Sequence, residues 1–104
     1  SIKLPEKMPT AFACNSDLTA SELVRTLKNK GIRVPEDVSI VGFDNYLYEG
    51  LCDISITTYE VNIKEMVKTA IALLNRQIQA GGSLIPETVI ISGHLVEKES
   101  VRRR

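Results

Sequence analysis

The fold is decided by the stretch Val38-Ser39-Ile40-Val41-Gly42-Phe43-Asp44-Asn45. It begins as an almost unbroken apolar run, which is typical of a strand buried on both faces. It then ends abruptly in a carboxylate and an amide, and ligands of open α/β sheets bind just beyond the carboxyl ends of the strands. Asp44 is therefore expected either to contact a ligand or to begin a turn, since Asp-Asn also suits turns. Gly42 has no side chain, which leaves room for a neighbouring backbone or a ligand.

The residues before this strand predict another strand followed by a helix. Residues 11–15 form a short apolar segment, and three residues that commonly begin helices follow it: Ser16, Asp17 and Thr19. Thr19 and Glu22 match a capping box, while Ser16 and Asp17 are alternative caps. The position of the first helical turn is therefore open between these residues.

The predicted first helix runs to about Lys30 and ends at Gly31, because glycine suits the C′ position. Its apolar stripe has helical spacing and consists of Ala20, Leu23, Val24 and Leu27. A short connection then leads into the central strand. The order strand, helix, strand with short links predicts a βαβ unit, in which the strands are parallel and the crossover is right-handed.

The second half of the chain predicts a third strand and a second helix. Residues 54–59 are rich in β-branched side chains, which indicates a strand. Asn62 and Glu65 form a capping-box-like start of the second helix, which ends at Gly81-Gly82. The apolar stripe of that helix consists of Ile63, Met66, Val67, Ala70, Ile71, Leu74 and Ile78.

The last part of the chain predicts two more strand pieces, at residues 88–91 and 95–96. They form either a hairpin or one long strand with a bulge at Gly93. The chain ends in Arg102-Arg103-Arg104, a short charge run that is typical of a solvated end.

The composition limits the classes of function. The 104 residues suffice for about one domain, and 13 basic residues balance 13 acidic ones. Because phosphate affinity comes mainly from excess Lys and Arg, this balance argues against a nucleic-acid-binding surface made by this segment. No stretch predicts a membrane span or a signal peptide. Cys14 and Cys52 lack metal-binding or redox spacing and are expected to be free thiols in a reducing cytoplasm.

Sequence motifs of catalysis are absent. The chain contains no P-loop, G-x-G-x-x-G, G-x-S-x-G or H-E-x-x-H motif. Its one histidine, His94, has no visible partner for a catalytic pair and is expected to be structural or solvated. The acidic residues are scattered over helix faces and turns. We therefore expect no enzyme activity, no metal site and no cofactor.

The remaining candidate is a binding site at the carboxyl edge of the sheet, where two strand ends converge. The first strand leads into a helix N-terminus, whose free N–H groups donate to oxygen atoms. The central strand ends in a carboxylate and an amide, which suit the hydroxyl groups of a sugar or a nucleoside. The rings of Tyr46 and Tyr48 in the next loop are suitable for stacking. The candidate ligand-binding residues are Asn15, Ser16, Asp17, Asp44, Asn45 and Tyr46.

Several of these stretches resemble the lactose-repressor (LacI/GalR) family of bacterial transcription regulators. The match extends over residues 9–100 and is most specific over residues 34–44. It comprises Pro9-Thr10-Ala11, Asn15-Ser16-Asp17, residues 31–45, Ile56-Thr57-Thr58-Tyr59 and residues 93–100.

The resemblance implies an α/β fold, namely part of the type I periplasmic-binding-protein-like fold, with a parallel sheet and flanking helices. Residues 1–104 would be a C-terminal fragment of the effector-binding and dimerisation domain, without the DNA-binding domain. About residues 60–82 would belong to the other lobe of the full-length protein. Thr57, Thr58 and Tyr59 would form a hinge between the lobes.

The resemblance also implies a function. Asp44 would contact effector hydroxyls, whereas Ser16 stands where the family usually has asparagine, which signals a different effector. The protein would be a cytoplasmic repressor, and its small-molecule effector would change DNA affinity allosterically through the absent N-terminal domain. No membrane partner is expected. The alternative is a fragment of an extracytoplasmic sugar-binding protein of a transporter, which shares the fold.

The apolar stripe of the second helix also predicts association. Without the other lobe, the stripe must pack on this lobe or on another copy of the chain, because an exposed patch of that size drives association. We therefore expect a homodimer or a higher homo-oligomer. By resemblance to the family's dimer interface, the helix at residues 18–30 and the loop at residues 46–53 are further candidate contacts.

Overall fold

Six regular elements follow one another in the computed structural model, which describes residues 2–48, 50–83 and 85–104. They are β1 (Ala11–Ala13), α1 (Asp17–Asn29), β2 (Ser39–Val41), β3 (Thr58–Glu60), α2 (Ile63–Gln79) and β4 (His94–Val96). The chain divides into a first unit, Ser1–Glu60 with His94–Arg104, and a second unit, Val61–Gly93. Glu49, in the predicted loop at residues 46–53, lies outside the described residues. None of the described helices is long and apolar enough to cross a membrane.

The predicted strand, helix, strand order is confirmed in the first unit. Strands β1 and β2 pair in parallel, with Phe12 opposite Ile40 at the centre of the register. Helix α1 connects them, as the short links of the sequence predict. Because the two strands run in the same direction, their carboxyl ends meet at one edge of the sheet.

A third segment continues this parallel arrangement. Beyond β2, the Gly42 N–H donates to the Thr57 carbonyl oxygen over 2.8 Å, and the Asp44 N–H donates to the Tyr59 carbonyl oxygen over 2.9 Å. A parallel bridge also joins Val41 to Thr57. The predicted third strand is therefore present and runs parallel to β2, although its regular part, β3, begins at residue 58 rather than at residue 54.

Helix α1 begins at Asp17 and has Ser16 as its N-cap. The Ser16 hydroxyl oxygen accepts a hydrogen bond from the Thr19 N–H over 3.1 Å. The capping box of Thr19 and Glu22 is therefore wrong as the start of the helix, because Ser16 already satisfies an N–H group of the first turn.

The other end of α1 is closed by a Schellman motif. Gly31 has a φ of 75°. Its N–H donates to the Lys28 carbonyl oxygen, and the Ile32 N–H donates to the Leu27 carbonyl oxygen, both over 3.0 Å. This arrangement confirms Gly31 as the C′ residue, since the left-handed backbone there favours glycine.

The core of the first unit lies between α1 and the sheet. All four predicted stripe residues of α1 are buried, together with Val38, Ile40 and Ile56. The predicted burial of the central strand on both faces is confirmed only at its start, where Ser39 is buried as well as its apolar neighbours. Near the end of the stretch, the Phe43 side chain is 44% exposed. The strand therefore leaves the core as it approaches its carboxyl end.

A buried serine near the C-terminus joins the strands of the first unit. The Ser100 side chain is fully buried. Its hydroxyl donates to the Ile40 carbonyl oxygen and accepts from the Thr57 N–H over 2.8 Å. The Ser100 carbonyl oxygen in turn accepts from the Ile40 N–H over 2.8 Å. The C-terminal segment thus fills the gap beside β2, on the side away from β1.

The partner of the last strand differs from the sequence prediction. Strand β4 pairs antiparallel with β3, with Thr58 opposite Val96 and Glu60 opposite His94. Both predicted alternatives are wrong, the hairpin between residues 88–91 and 95–96 and the one long strand with a bulge at Gly93, because residues 88–91 form no regular strand. The physical reason is that β3 has a second edge free for pairing, and β4 occupies it.

The second unit contains α2, whose ends lie close to the predicted positions. The Asn62 side-chain oxygen caps the helix by accepting from the Glu65 N–H over 3.1 Å. The helix stops at Gln79, with Ala80 as its C-cap, just before Gly81. The six large side chains of its apolar stripe are 46–68% exposed, and none of the helix residues is buried.

The C-terminal arginines contact the turn before β2. The Arg102 N–H donates to the Ser39 hydroxyl oxygen over 3.1 Å. The Arg104 guanidinium donates to the carbonyl oxygens of Glu36, over 3.1 Å, and Pro35, over 3.0 Å. The predicted charge run is therefore exposed, as expected for a solvated end, but it is also anchored to the first unit.

A methyl group at Gly42 is expected to destabilise the first unit. A Cβ placed there would lie 2.0 Å from Asp17 Oδ1 and 3.1 Å from Asp17 Cα. We therefore expect Gly42→Ala to lower the free energy of unfolding in urea by about 1–3 kcal/mol. In an Asp17→Ala background the same substitution should cost less, because the carboxylate is gone. An equal cost in both backgrounds would contradict this explanation.

Candidate functional site

The carboxyl edge of the sheet brings the two predicted strand ends together. The Asp17 N–H, at the start of α1, donates to the Phe43 carbonyl oxygen over 3.0 Å. The Cys14 N–H donates to the Val41 carbonyl oxygen over 2.8 Å. These bonds place the segment after β1 beside the residues after β2, so that the polar residues of both segments lie at the same edge.

Asp44 and Asn45 have unusual backbone conformations. Asp44 has a φ of 94° and Asn45 a φ of 52°, both in the left-handed region that side chains other than glycine rarely adopt. Such conformations cost of order 1–3 kcal/mol and persist only where the surroundings hold them. Here the Asp44 N–H bonds to the Tyr59 carbonyl oxygen, and the Asn45 N–H donates to the Thr58 hydroxyl over 3.2 Å. The backbone at this edge is therefore fixed by the third segment of the sheet.

The Asp44 carboxylate begins a turn through one of its two oxygens. Its Oδ1 accepts from the Tyr46 N–H over 3.0 Å, which closes an Asx turn. The side chain is half-buried, and within the part of the chain that the structure describes its other oxygen has no hydrogen-bond donor. The expected turn is therefore confirmed, and the expected ligand contact of Asp44 stays a prediction that the turn does not exclude, because the turn uses only one oxygen.

Asn45 is held by a residue that sequence reasoning missed. The Lys98 ammonium donates to Asn45 Oδ1 over 2.8 Å. The only sequence signal for Lys98 was its place in the stretch 93–100, which resembles the family's C-terminal end. Nothing local linked it to Asn45, because the two residues are 53 positions apart.

Asp17 lies beneath the edge rather than on its surface. It is 2% exposed, and its Oδ1 has no hydrogen-bond partner among the described residues. Burial raises its pKa, the Asp44 charge adds to this effect, and the Thr58 hydroxyl, the Lys98 charge and the Phe43 N–H oppose it. This burial favours a supporting role, and direct contact with a ligand stays a prediction.

The remaining predicted ligand residues are distributed around this edge. Asn15 is exposed, and Tyr46 is 72% exposed. Ser16 is half-buried, and its hydroxyl is occupied by the N-cap bond and by donation to the Thr19 hydroxyl over 3.1 Å. Asn15 and Tyr46 are therefore accessible, whereas Ser16 would have to exchange a capping bond for a ligand contact.

The predicted hinge residues lie where the chain leaves the first unit. Thr57 and Thr58 are buried, and the Tyr59 ring stacks on the Phe43 ring with centroids 5.7 Å apart and planes 10° apart. One position on, Glu60 pairs with His94 Nε2 over 2.9 Å across β3 and β4. His94 is thus a surface residue with a carboxylate partner, and the hinge role of the threonines and Tyr59 stays a prediction.

A depression of about 340 Å³ lies beside the edge, in the first unit. Asp17 and Lys98 line it, together with residues of the loop after Asn45, but Asp44 and Asn45 do not. Within the described residues, no three His, Cys, Asp or Glu side chains are grouped to hold a metal ion. Cys14 and Cys52 are free and half-buried, and burial raises the pKa of the Cys14 thiol.

Comparison with known proteins identifies the family. A profile of the periplasmic binding protein-like domain matches residues 1–101. The chain belongs to this family. The match covers almost the whole chain and confirms the predicted periplasmic-binding-protein-like fold, a small α/β fragment with parallel strands and two helices.

The relatives of this periplasmic binding protein-like domain are LacI-type transcriptional regulators, which confirms the predicted resemblance. The transcriptional repressor CytR of Escherichia coli (strain K12) is 34% identical over 97 residues, which are 88% of this chain and 28% of CytR. A putative LacI regulator of Bacillus cereus subsp. cytotoxis superposes with a TM-score of 0.84 at 27% identity, over 96% of this chain and 35% of that one. The regulator CelR, solved with cellobiose, has a TM-score of 0.77 at 30% identity. That superposition covers 88% of this chain and 28% of the CelR chain. This chain thus spans under a third of the curated relative CytR.

The contributions of Asp17 and Asp37 to the stability of the domain should depend on pH in opposite directions. Burial raises the pKa of Asp17, so its folded state binds a proton more tightly, and its contribution to stability is lost as the pH rises from about 3.8 through the folded pKa. The Arg33 hydrogen bonds lower the pKa of Asp37 to about 2, so its contribution is present above about pH 3.8 and is lost as the pH falls towards 2.

Urea unfolding from about pH 3 to 7 checks this contrast. The stability of wild type relative to Asp17→Asn should fall with rising pH, whereas its stability relative to Asp37→Asn should rise. A pH-independent difference for Asp17→Asn would contradict the assigned effect of burial.

Proposed function

We propose that this chain is the C-terminal, effector-sensing and dimerisation part of a LacI-type transcriptional repressor. The observation that carries the proposal is Asp44 at the carboxyl end of the central strand. Its backbone is held in the left-handed region, and one carboxylate oxygen faces no donor among the described residues. Backbone strain of this kind concentrates at functional sites, because a folded scaffold must hold it.

The ligand we propose is a small polyhydroxylated molecule, of the sugar or nucleoside class. A hydroxyl group can donate to the Asp44 carboxylate, and a second hydroxyl can interact with the Asn45 amide. The complex of the related CelR with cellobiose supports a carbohydrate as one source of such hydroxyls. Tyr46, whose side chain is largely exposed, follows Asn45 directly and has a ring suitable for stacking on such a ligand.

The regulation we propose is allosteric. The chain passes from the first unit to the second after Glu60 and returns at His94, so that β3 and β4 form the connection. An effector that binds one relative orientation of two lobes more tightly shifts the population towards it. That shift would change operator affinity through a DNA-binding domain outside this chain, in the cytoplasm. The regulator names of the curated relatives favour this role over a transport protein or an enzyme.

The exposed stripe of α2 supports association with a further surface. Six large apolar side chains at 46–68% exposure form a patch that a soluble monomer rarely leaves open. In the full-length protein we propose that residues 60–82 pack on the other lobe. Helix α1 and the loop at residues 46–53 are the proposed contacts of a homodimer, or of a higher homo-oligomer.

Calorimetric titration of the full-length protein with sugars and nucleosides tests the site. We expect Asp44→Asn to weaken the binding of a ligand from this panel by about 1.5–3 kcal/mol, because it removes a hydrogen bond to a charged group. Asp37→Asn is the matched control, since Asp37 pairs with Arg33 on the surface, and it should bind as wild type does. Unchanged binding by Asp44→Asn would place the site elsewhere.

Operator affinity tests the regulatory part of the proposal. The ligand that binds wild type should change the affinity of the full-length protein for its operator, and Asp44→Asn should need a higher ligand concentration for the same change. A ligand that binds without any effect on operator affinity would contradict the allosteric mechanism.

A further inference from the structure

The Lys98 side chain reaches the carboxyl edge from the C-terminal segment. Its ammonium donates to Asn45 Oδ1 over 2.8 Å. None of the sequence motifs assigned it a role, although it is the one described cation whose charge acts on the buried Asp17 carboxyl. Lys98 therefore connects the C-terminal segment both to the surface amide and to the acid beneath it.

The backbones of Lys98 and Asn45 are each hydrogen-bonded to one of two consecutive buried threonines. The Lys98 N–H donates to the Thr57 hydroxyl over 2.9 Å, and the Asn45 N–H donates to the Thr58 hydroxyl over 3.2 Å. Thr57 and Thr58 are 4% and 0% exposed. The two side chains therefore start from fixed points on one segment, which lowers the conformational entropy lost when they meet.

The chemistry of lysine fixes the orientation of the Asn45 amide. An ammonium group has three donors and no acceptor, so only the amide oxygen can face it. The amide NH₂ group of Asn45 then points away from Lys98, and its two N–H donors remain for another partner. This assignment follows from hydrogen-bond chemistry and does not depend on telling oxygen from nitrogen by position.

The neighbouring Asp44 has the opposite polarity. Its Oδ1 is occupied by the Tyr46 N–H, and its carboxylate can only accept. Two consecutive residues of the edge therefore differ in what they offer: Asp44 supplies an acceptor, and Asn45 supplies the donors of its NH₂ group. The Lys98 charge also favours the ionised form of the Asp17 carboxyl, which the Asp44 charge disfavours.

We propose that Lys98 is a positioning residue of the effector site, which turns the Asn45 NH₂ group towards the ligand beside the Asp44 acceptor. The ligand group that fits this pair is a vicinal diol, in which one hydroxyl donates to Asp44 and its neighbour accepts from Asn45. Sugars and ribonucleosides both carry such a diol. The inference rests on the proposed function, and it adds the residue that sets the donor and acceptor pattern of the site.

The orientation of the amide can be tested without a ligand. In the full-length protein labelled with ¹⁵N at asparagine side chains, the Asn45 NH₂ signal is assigned by its loss in Asn45→Asp. We expect Lys98→Met to shift this signal and to increase its mobility, because the hydrogen bond is lost while the aliphatic stem stays. Lys98→Arg should restore the signal, since a guanidinium also only donates.

Lys28→Met is the matched control for this experiment, because Lys28 pairs with Asp53 elsewhere in the first unit. It should leave the Asn45 signal unchanged. An Asn45 signal that is unaffected by Lys98→Met, or affected equally by Lys28→Met, would overturn the proposal.

Binding measurements then separate this proposal from the proposed function. The probes are cellobiose, uridine and 2′-deoxyuridine, which lacks one hydroxyl of the ribose diol. We expect binding of the first or second probe, roughly ten-fold weaker in Lys98→Met and restored in Lys98→Arg. If uridine binds, 2′-deoxyuridine should bind about as weakly to wild type as uridine binds to Lys98→Met.

The two failures are distinguishable. Wild-type binding that Lys98→Met leaves unchanged would overturn the positioning role while the effector function stands. A wild-type protein that binds neither cellobiose nor uridine, but whose Asn45 signal responds to Lys98→Met, would contradict the polyhydroxylated effector and leave the positioning of Asn45 intact.

Discussion

The buried hydroxyl of Ser100 is the interaction on which the first unit depends. It donates to the Ile40 carbonyl oxygen and accepts from the Thr57 N–H, so it bridges two segments of the sheet. A buried polar group contributes little when it is fully paired, but the loss of one partner costs the desolvation of the other, about 1–3 kcal/mol. Ser100 therefore determines where the third segment can lie beside β2.

The candidate site is a consequence of this placement. With the third segment beside β2, the Tyr59 carbonyl oxygen can accept from Asp44, and the Thr58 hydroxyl can accept from Asn45. These bonds offset the cost of the two left-handed residues, which would otherwise relax. Asp17 supports the same edge from inside, because its carboxylate lies against Gly42, where no side chain intervenes. The accessible residues of the edge are thus supported by the buried side chains of Thr58 and Asp17.

Sequence reasoning predicted the features that depend on local patterns. The strand, helix, strand order and the apolar stripe of α1 follow from hydrophobic periodicity. The end of α1 at Gly31 and the start of α2 at Asn62 follow from capping rules that involve only a few residues. It missed Lys98 and the support from Thr58, and it mispaired β4, because these features depend on contacts between distant segments. The bond from Lys98 to Thr57 spans 41 positions and that from Ser100 to Ile40 spans 60. The start of α1 remained open between several residues because each of them can cap a helix.

The hydrogen bonds around the third segment lead us to expect that the carboxyl edge is held as firmly as the core. Native-state hydrogen exchange of the Ile40, Asp44 and Asn45 amides tests it most directly, because each N–H is bonded to a different partner around the third segment. We predict that all three exchange with the same opening free energy, equal to that of global unfolding. Asp44 and Asn45 amides that exchange through local fluctuations, while Ile40 exchanges only on global unfolding, would show that the edge is held less firmly than the core.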